Sequence, residues 1–127
     1  MLELMQSRDR LQVVSDQTGT PTWTRSLACV TWQLMKIPGL YGIQHYRDGG
    51  ETTWFDFALT IRAAGLRHGL LTRHVDILPI RSDEYGAPAT RPPYSVLECG
   101  ETWNWLRHTP DDWRVALDKL LSAMAGQ

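Results

Sequence analysis

The sequence predicts an α/β chain of an incomplete, α+β-like kind, in which helices accompany a few short strands. Three observations lead there. Apolar residues recur at helical spacing over 22–36, 53–64 and 110–124. The strand candidates, over 11–14, 42–46 and 75–80, are short and scattered, too few to make a full sheet. They read as edge additions to a sheet whose main part lies elsewhere, which would leave an edge and an apolar face to be covered. At 127 residues the chain has the length of one domain with a modest core.

Each element has its own signal. Leu2 to Met5 reads as the end of a helix, and 11–14 as a strand running into a polar loop over 15–21. Thr22 is the expected cap of a helix to about Lys36, with Leu27, Val30, Leu34 and Met35 on its apolar face and Cys29 buried within it as a small hydrophobe. Pro38-Gly39 stops that helix, 42–46 alternates like a strand, and Asp48-Gly49-Gly50 is a turn. Thr52 or Thr53 caps the next helix, closed by Gly65, whose Trp54, Phe55, Phe57 and Ala58 are assigned to the core. After the strand over 75–80, prolines and Gly86 make 81–93 a long loop, and long loops are often functional. A short helix over 101–107 follows. Pro110 in a first helical turn, with Asp111 and Asp112, opens the last helix on Trp113, Ala116, Leu117, Leu120 and Leu121.

Composition excludes several function classes. The net charge is −1 and the eleven Arg and two Lys never form a run of three, against the concentrated basic excess of a nucleic-acid surface. No apolar stretch approaches the ~20 residues that span a bilayer, and the N-terminus lacks signal-peptide character, so the expected location is cytoplasmic. Two cysteines fit reduced thiols better than a disulfide scaffold. Six tryptophans in this length are expected to be buried or partly buried; aromatic excess also accompanies ligand faces.

Catalytic and cofactor motifs are missing from the residues. A dinucleotide site needs a glycine-rich turn between strand and helix, and neither G-x-G-x-x-G nor G-x-x-G-x-x-G occurs. No tyrosine stands four residues before a lysine: Tyr41, Tyr46, Tyr85 and Tyr94 are followed there by His45, Gly50, Ala89 and Glu98. His45, His68, His74 and His108 lack metal-ligand spacing and read as solvated or hydrogen-bonded histidines. Neither Cys29 nor Cys99 has a base beside it, and G-x-S-x-G is absent.

Four stretches together resemble the motifs of one known enzyme family. Val14-Ser15-Asp16-Gln17-Thr18-Gly19-Thr20-Pro21-Thr22 is similar to the family's V-x-D-Q-x-G-x-P-T. Gly42-Ile43-Gln44-His45-Tyr46, then Gly50 and Thr53-Trp54-Phe55-Asp56-Phe57-Ala58, resembles G-I-Y-H-x, a glycine turn and S-W-Y-D-F-A. Pro79-Ile80, Glu84-Tyr85, Pro88-Ala89, Arg91-Pro92 and Ser95-Val96-Leu97 resemble P-I-x-x-x-E-Y-x-x-P-A-x-R-P-x-x-S-x-L, and Asp112-Trp113-Arg114 with Ala116-Leu117 resembles D-W-R-x-A-L. The chain departs from the pattern at Glu98-Cys99-Gly100 and at Trp103 and Trp105, which bears on fine substrate specificity.

With these four stretches in register, the chain resembles the dTDP-4-dehydrorhamnose reductases of the extended short-chain dehydrogenase/reductase group, and the resemblance covers only the C-terminal, substrate-binding lobe of such an enzyme, without its Rossmann core. It implies a dTDP-sugar ligand and, in the intact family, NADPH-dependent reduction of dTDP-4-dehydro-L-rhamnose to dTDP-L-rhamnose. This chain is expected to bind no cofactor or metal itself and to carry no catalytic residue. The implied substrate-binding residues are Asp16, Gln17, Tyr85, Arg91 and Tyr94. Asp16 is equally readable as an Asx-type turn organiser. Arg91 is readable as a bidentate diphosphate ligand in a loop that folds over a nucleotide sugar, or as a surface arginine in a proline-rich loop. Trp113 and Arg114 anchor the last helix. The expected partner is a separate Rossmann-containing chain or a second copy; a non-catalytic module that self-associates through its incomplete sheet is the alternative, and an inactive remnant is a third.

Overall fold

The computed structural model describes residues 1–107 and 109–126. Helix α1 (Leu2–Ser7) leads into strand β1 (Arg10–Val14), which lies parallel to β4 (Asp76–Ile80), with Leu11 opposite Ile77 and Val13 opposite Pro79. Parallel neighbours need a long crossover. It runs through β2 (Thr18–Gly19), α2 (Thr24–Leu34), β3 (Thr52–Thr53) and α3 (Trp54–Arg67). Strands β2 and β3 make a second, antiparallel pair of two residues each. Beyond β4 come α4 (Ser82–Tyr85), α5 (Gly100–Leu106) and α6 (Trp113–Ala125).

Helix α3 covers one face of the parallel pair. Leu11, Val13 and Ile77 of the strands, Ala58, Ile61 and Ala64 of α3, and Trp113, Leu117 and Leu121 of α6 belong to one buried cluster, which Met5 of α1 joins. The mixed, strand-poor architecture is as the sequence predicts. The ladder also shows which edge is open. Asp9 C=O accepts from Asp76 N–H and Ser15 N–H donates to Ile80 C=O, so Leu11 and Val13 face β4 with their backbone groups. Arg10, Gln12 and Val14 turn theirs to the other side, where no strand pairs among the described residues. On the far side of β4, Pro79 offers no N–H.

Several elements differ from the sequence reading. The predicted strand over 42–46 does not form: nothing among the described residues pairs with it, and Ile43 is 87% and Tyr41 90% exposed. A strand needs a ladder partner, and alternation alone supplies none. Helix α2 begins at Thr24 after an N-cap at Trp23, so Thr22 is not its cap; the Thr22 hydroxyl instead accepts from Asp48 N–H at 3.4 Å. Of its expected apolar face only Val30 is buried, Met35 being 71% exposed. Cys29 is exposed as well, and Cys99 is the buried thiol. The helix packs mainly against α5, which covers one narrow stripe of it. Trp32, Trp54 and Trp105 are exposed rather than buried, Trp32 lying under the Lys36 ammonium at 5.0 Å.

Thr53 is the cap of α3, its hydroxyl accepting from Asp56 N–H at 3.0 Å. Gly65 does not close that helix, which continues to Arg67; its lack of a side chain serves close packing, since a Cβ there would meet Leu71 at 3.0 Å. The left-handed residue after the helix is Gly69. The stretch over 81–93 is not wholly a loop, because Ser82–Tyr85 forms α4, whose Glu84 carboxylate accepts from Arg81 N–H. Similarly, Pro110 precedes the last helix instead of entering it. Asp112 is the N-cap, accepting from Arg114 N–H at 2.8 Å.

The turn at 48–50 ties these parts together. Asp48, 1% exposed, accepts from Trp23 N–H at 2.8 Å, and so serves the start of α2 from 25 residues away. It also accepts from the Tyr46 hydroxyl at 3.0 Å, while burial and this carboxylate drive the Tyr46 phenol far up in pKa. Gly49 exchanges backbone hydrogen bonds with Asp111 and Trp113, and Gly50 C=O accepts from the Thr20 hydroxyl. Arg47 donates to Leu97 C=O and lies over Trp103.

Candidate substrate cleft

A cleft of about 600 Å³ opens beside β1, lined by Val14, Gln17, Trp54, Tyr85 and Arg91 and floored by the apolar side chains of Leu4 and Leu11. Each polar member is brought there by a different element. Gln17 follows β1, Tyr85 ends α4, and Arg91 lies in the proline-rich loop whose Ala87 and Pro88 also line the cleft. Gly86, in left-handed conformation at φ +65°, turns the chain from α4 into that loop. Trp54 is the first residue of α3, immediately after the Thr53 cap.

Three of the five residues singled out in the sequence, Gln17, Tyr85 and Arg91, therefore share one cleft. The Arg91 guanidinium has no hydrogen-bond or ion-pair partner among the described residues and is exposed. Such a cation presents its whole planar fork to solvent or to an anionic ligand.

Asp16 stands behind the lining and is already engaged. Its carboxylate accepts from the Ser82 hydroxyl at 2.6 Å and from Ser82 N–H at 3.0 and 3.1 Å, pinning the start of α4 to the end of β1. The Ser82 hydroxyl, then its backbone N–H, hold the Asp16 carboxyl below the usual carboxylate range. The sign follows. A depressed folded pKa contributes stability above the unfolded value near ~3.9 and loses it as pH falls through the folded value. Asp16→Asn is thus expected to lower the urea midpoint at pH 7, and the gap to the parent should shrink in strong acid; an equal gap at both pH values would contradict this role.

Tyr94 is elsewhere. It forms an isolated bridge with Thr18, and its hydroxyl donates to Glu51 at 2.9 Å, outside the cleft lining. That bond to Glu51 raises the Tyr94 phenol above its ordinary pKa. Two residues escaped the sequence reading. Ser82 carries no local signal of its role, because its partners Asp16 and Gln17 lie about 65 positions away. The sequence places Trp54 in the core, yet it is 54% exposed and braced by Phe57 at 6.5 Å between ring centres.

No group of three His, Cys, Asp or Glu side chains among the described residues is disposed to hold a metal ion. His68 is hydrogen-bonded to Asp118 at 2.7 Å, and His108 lies outside the described residues. No described helix is long and apolar enough to cross a membrane.

A family model described as the RmlD substrate binding domain matches residues 1–125. The chain belongs to this family. This RmlD-type domain is 37% identical over 121 residues to the spore coat polysaccharide biosynthesis protein SpsK of Bacillus subtilis, covering 95% of the chain and 40% of that protein. It is 29% identical to a dTDP-4-dehydrorhamnose reductase of Shigella flexneri, over 98% of the chain and 43% of the relative. A crystal structure of dTDP-4-dehydrorhamnose reductase from Bacillus anthracis in complex with NADP superposes with a TM-score of 0.81 at 29% identity, over 93% of the chain and 40% of that structure. An orthologue from Clostridium acetobutylicum gives 0.81 at 31% identity, over 97% of the chain and 41% of that structure. The chain thus spans about two fifths of the length of these relatives.

Proposed function

We propose that this domain is the nucleotide-sugar half of a dTDP-4-dehydrorhamnose reductase, binding a dTDP-sugar in the cleft of Gln17, Tyr85 and Arg91. The observation that carries the reading is the Arg91 guanidinium, unpaired among the described residues, in a loop lining a cleft that two other predicted ligands share. A diphosphate offers that fork two or more anionic oxygens, and the apolar floor suits the flat faces of a sugar or base. Asp16 acts from behind as the brace of α4, and Tyr94 holds the strand of loop that carries Arg91 against Thr18.

The residues present do not fit a nicotinamide dinucleotide. β1 passes into the Asp16-Gln17 loop and β4 into α4 without a glycine-rich phosphate turn. In this reading NADPH and the proton-donating tyrosine belong to a Rossmann portion that docks along the open edge of β1, where Arg10, Gln12 and Val14 have free backbone groups. Exposed Leu78 beside the sheet supports a covered face. The domain then binds and orients substrate and performs no chemistry alone. A cytoplasmic location goes with this reading, in keeping with the free thiols of Cys29 and Cys99. The same open edge supports a second reading, a non-catalytic module in which two copies pair edge to edge.

Calorimetric titration with dTDP and dTDP-rhamnose tests the main reading. Binding at millimolar ligand or tighter is expected, and Arg91→Ala should weaken it roughly tenfold to a hundredfold, as loss of a charge-assisted pair does. A folded protein that gives no heat with either ligand overturns it. Size-exclusion chromatography separates the second reading, which requires a dimer.

A further inference from the structure

Gln17 has a fixed orientation, and the cause is a chain of three side chains. The ionised Asp16 carboxylate can only accept hydrogen bonds, so the Ser82 hydroxyl, 2.6 Å away, must donate its one proton to it. Ser82 Oγ is then left with lone pairs alone. Gln17 Nε2, at 2.9 Å, donates to them. An amide flipped by 180° would set Gln17 Oε1 against that oxygen with no proton between them. The chain therefore commits the Gln17 NH2 to Ser82 and turns Oε1 away from it. No donor among the described residues meets Oε1, on a side chain that lines the cleft.

Trp54 supplies the second part. Trp113, the other tryptophan that opens a helix, is buried, but Trp54 stands half in solvent at the head of α3. It lines the cleft on one side and a smaller pocket of about 130 Å³, walled by Gly19, Thr20 and Ser95, on the other. Its backbone is held by the Thr53–Asp56 cap and its ring leans on Phe57, so the indole is presented with little conformational freedom to lose.

We infer that Trp54 and Gln17 read the base of the nucleotide, Trp54 stacking on the pyrimidine ring and Gln17 Oε1 accepting from the ring N3–H, with Ser82 as the positioning residue. The inference rests on the nucleotide-sugar reading above. An outward carbonyl suits thymine and uracil, whose N3 carries a proton between two carbonyls. Opposite N3 of cytosine it meets a lone pair, and the one donor on that edge, the N4 amino group, lies a position away. Arg91 contributes equally to any diphosphate and so cannot discriminate.

Titration of the full chain with dTDP, dCDP and inorganic pyrophosphate separates these roles. The parent is expected to bind dTDP about tenfold more tightly than dCDP, the effect of one matched against one opposed hydrogen bond. Ser82→Ala should bring that ratio below about threefold by freeing the amide to flip. Because Ser82→Ala also removes an anchor of α4, Gln17→Met, which deletes the amide at similar volume, provides a second route to the same loss of discrimination. Trp54→Ala should weaken both nucleotides at least about fivefold and leave pyrophosphate unaffected, whereas Trp54→Phe should retain most of the affinity. Equal parent affinity for dTDP and dCDP, an unchanged ratio in both Ser82→Ala and Gln17→Met, or a Trp54→Ala loss as large for pyrophosphate as for dTDP overturns the inference and leaves the nucleotide-sugar reading standing. Failure of the parent to bind any of the three probes overturns that reading, and the inference with it.

Discussion

Trp113→Ala is expected to destabilise the domain by about 3–5 kcal/mol, the range for removing a large aromatic from a packed interior. Trp113 is 1% exposed, meets Phe57 edge to face at 5.5 Å between ring centres, and lies under the Arg114 guanidinium at 4.3 Å. It opens α6 and joins that helix to α3 and to the turn at 48–50, so its loss leaves a cavity where three elements meet. Its indole N–H is buried without a partner, which means that none of the cost is a lost hydrogen bond. Trp113→Phe is accordingly expected to cost far less, under about 1.5 kcal/mol, since it keeps an aromatic contact and removes an unpaired donor. Urea unfolding gives both values, with an unchanged m-value certifying the comparison. A loss below about 1 kcal/mol for the alanine variant would contradict the packing described here.

Gly50→Ala is the second large effect, about 2–4 kcal/mol, although only a methyl group is added. Gly50 has φ +80°, a region that costs an L-residue of the order of 1 kcal/mol. The added Cβ would stand 2.5 Å from Asp112 Oδ2 and 3.0 Å from Trp113 Cδ1. Something must shift, and the choice lies between the cap of α6, worth about 1 kcal/mol, and the buried indole. Both outcomes loosen α6. Gly39→Ala serves as the control: it too has positive φ, but its Cβ would meet nothing within 4 Å, so only the backbone cost of about 1 kcal/mol applies. Comparable urea midpoints for the two variants would show that the close approach at Gly50 carries no weight.

Much of the fold was legible because its signals are local. Thr53 caps α3 because its hydroxyl reaches Asp56 N–H three residues on, a distance set by helix geometry and readable in any Thr-x-x-Asp. Helix α6 is legible in its apolar spacing, and β1 and β4 are legible as short, mostly apolar segments. The resemblance located the Asp16-Gln17 and Arg91 loops, and three of its five site residues do share a cleft.

The failures have a common cause. Over 42–46 the alternation is that of a strand, but strand formation depends on a neighbour and no segment runs beside it. Thr22 is suited to cap α2, yet the carboxylate that accepts Trp23 N–H comes from Asp48, which the chain returns to that spot only after the helix has been built. Cys29 and Met35 look like core residues and are exposed, because helix periodicity marks a stripe without saying how wide a neighbour will cover it.

The amino-acid sequence by itself determined the family, the order of elements and the residues that could meet an anionic ligand. Those depend on residue identity and on spacings of a few positions, where backbone geometry leaves little choice. Only the tertiary structure decided how those residues are deployed. It left one edge of β1 open, set Tyr94 on Glu51 instead of in the cleft, exposed Trp54, and brought Ser82 between Asp16 and Gln17. Each of these is a contact between positions some 40 to 65 apart or the absence of one, and such contacts arise from the packing of the whole chain.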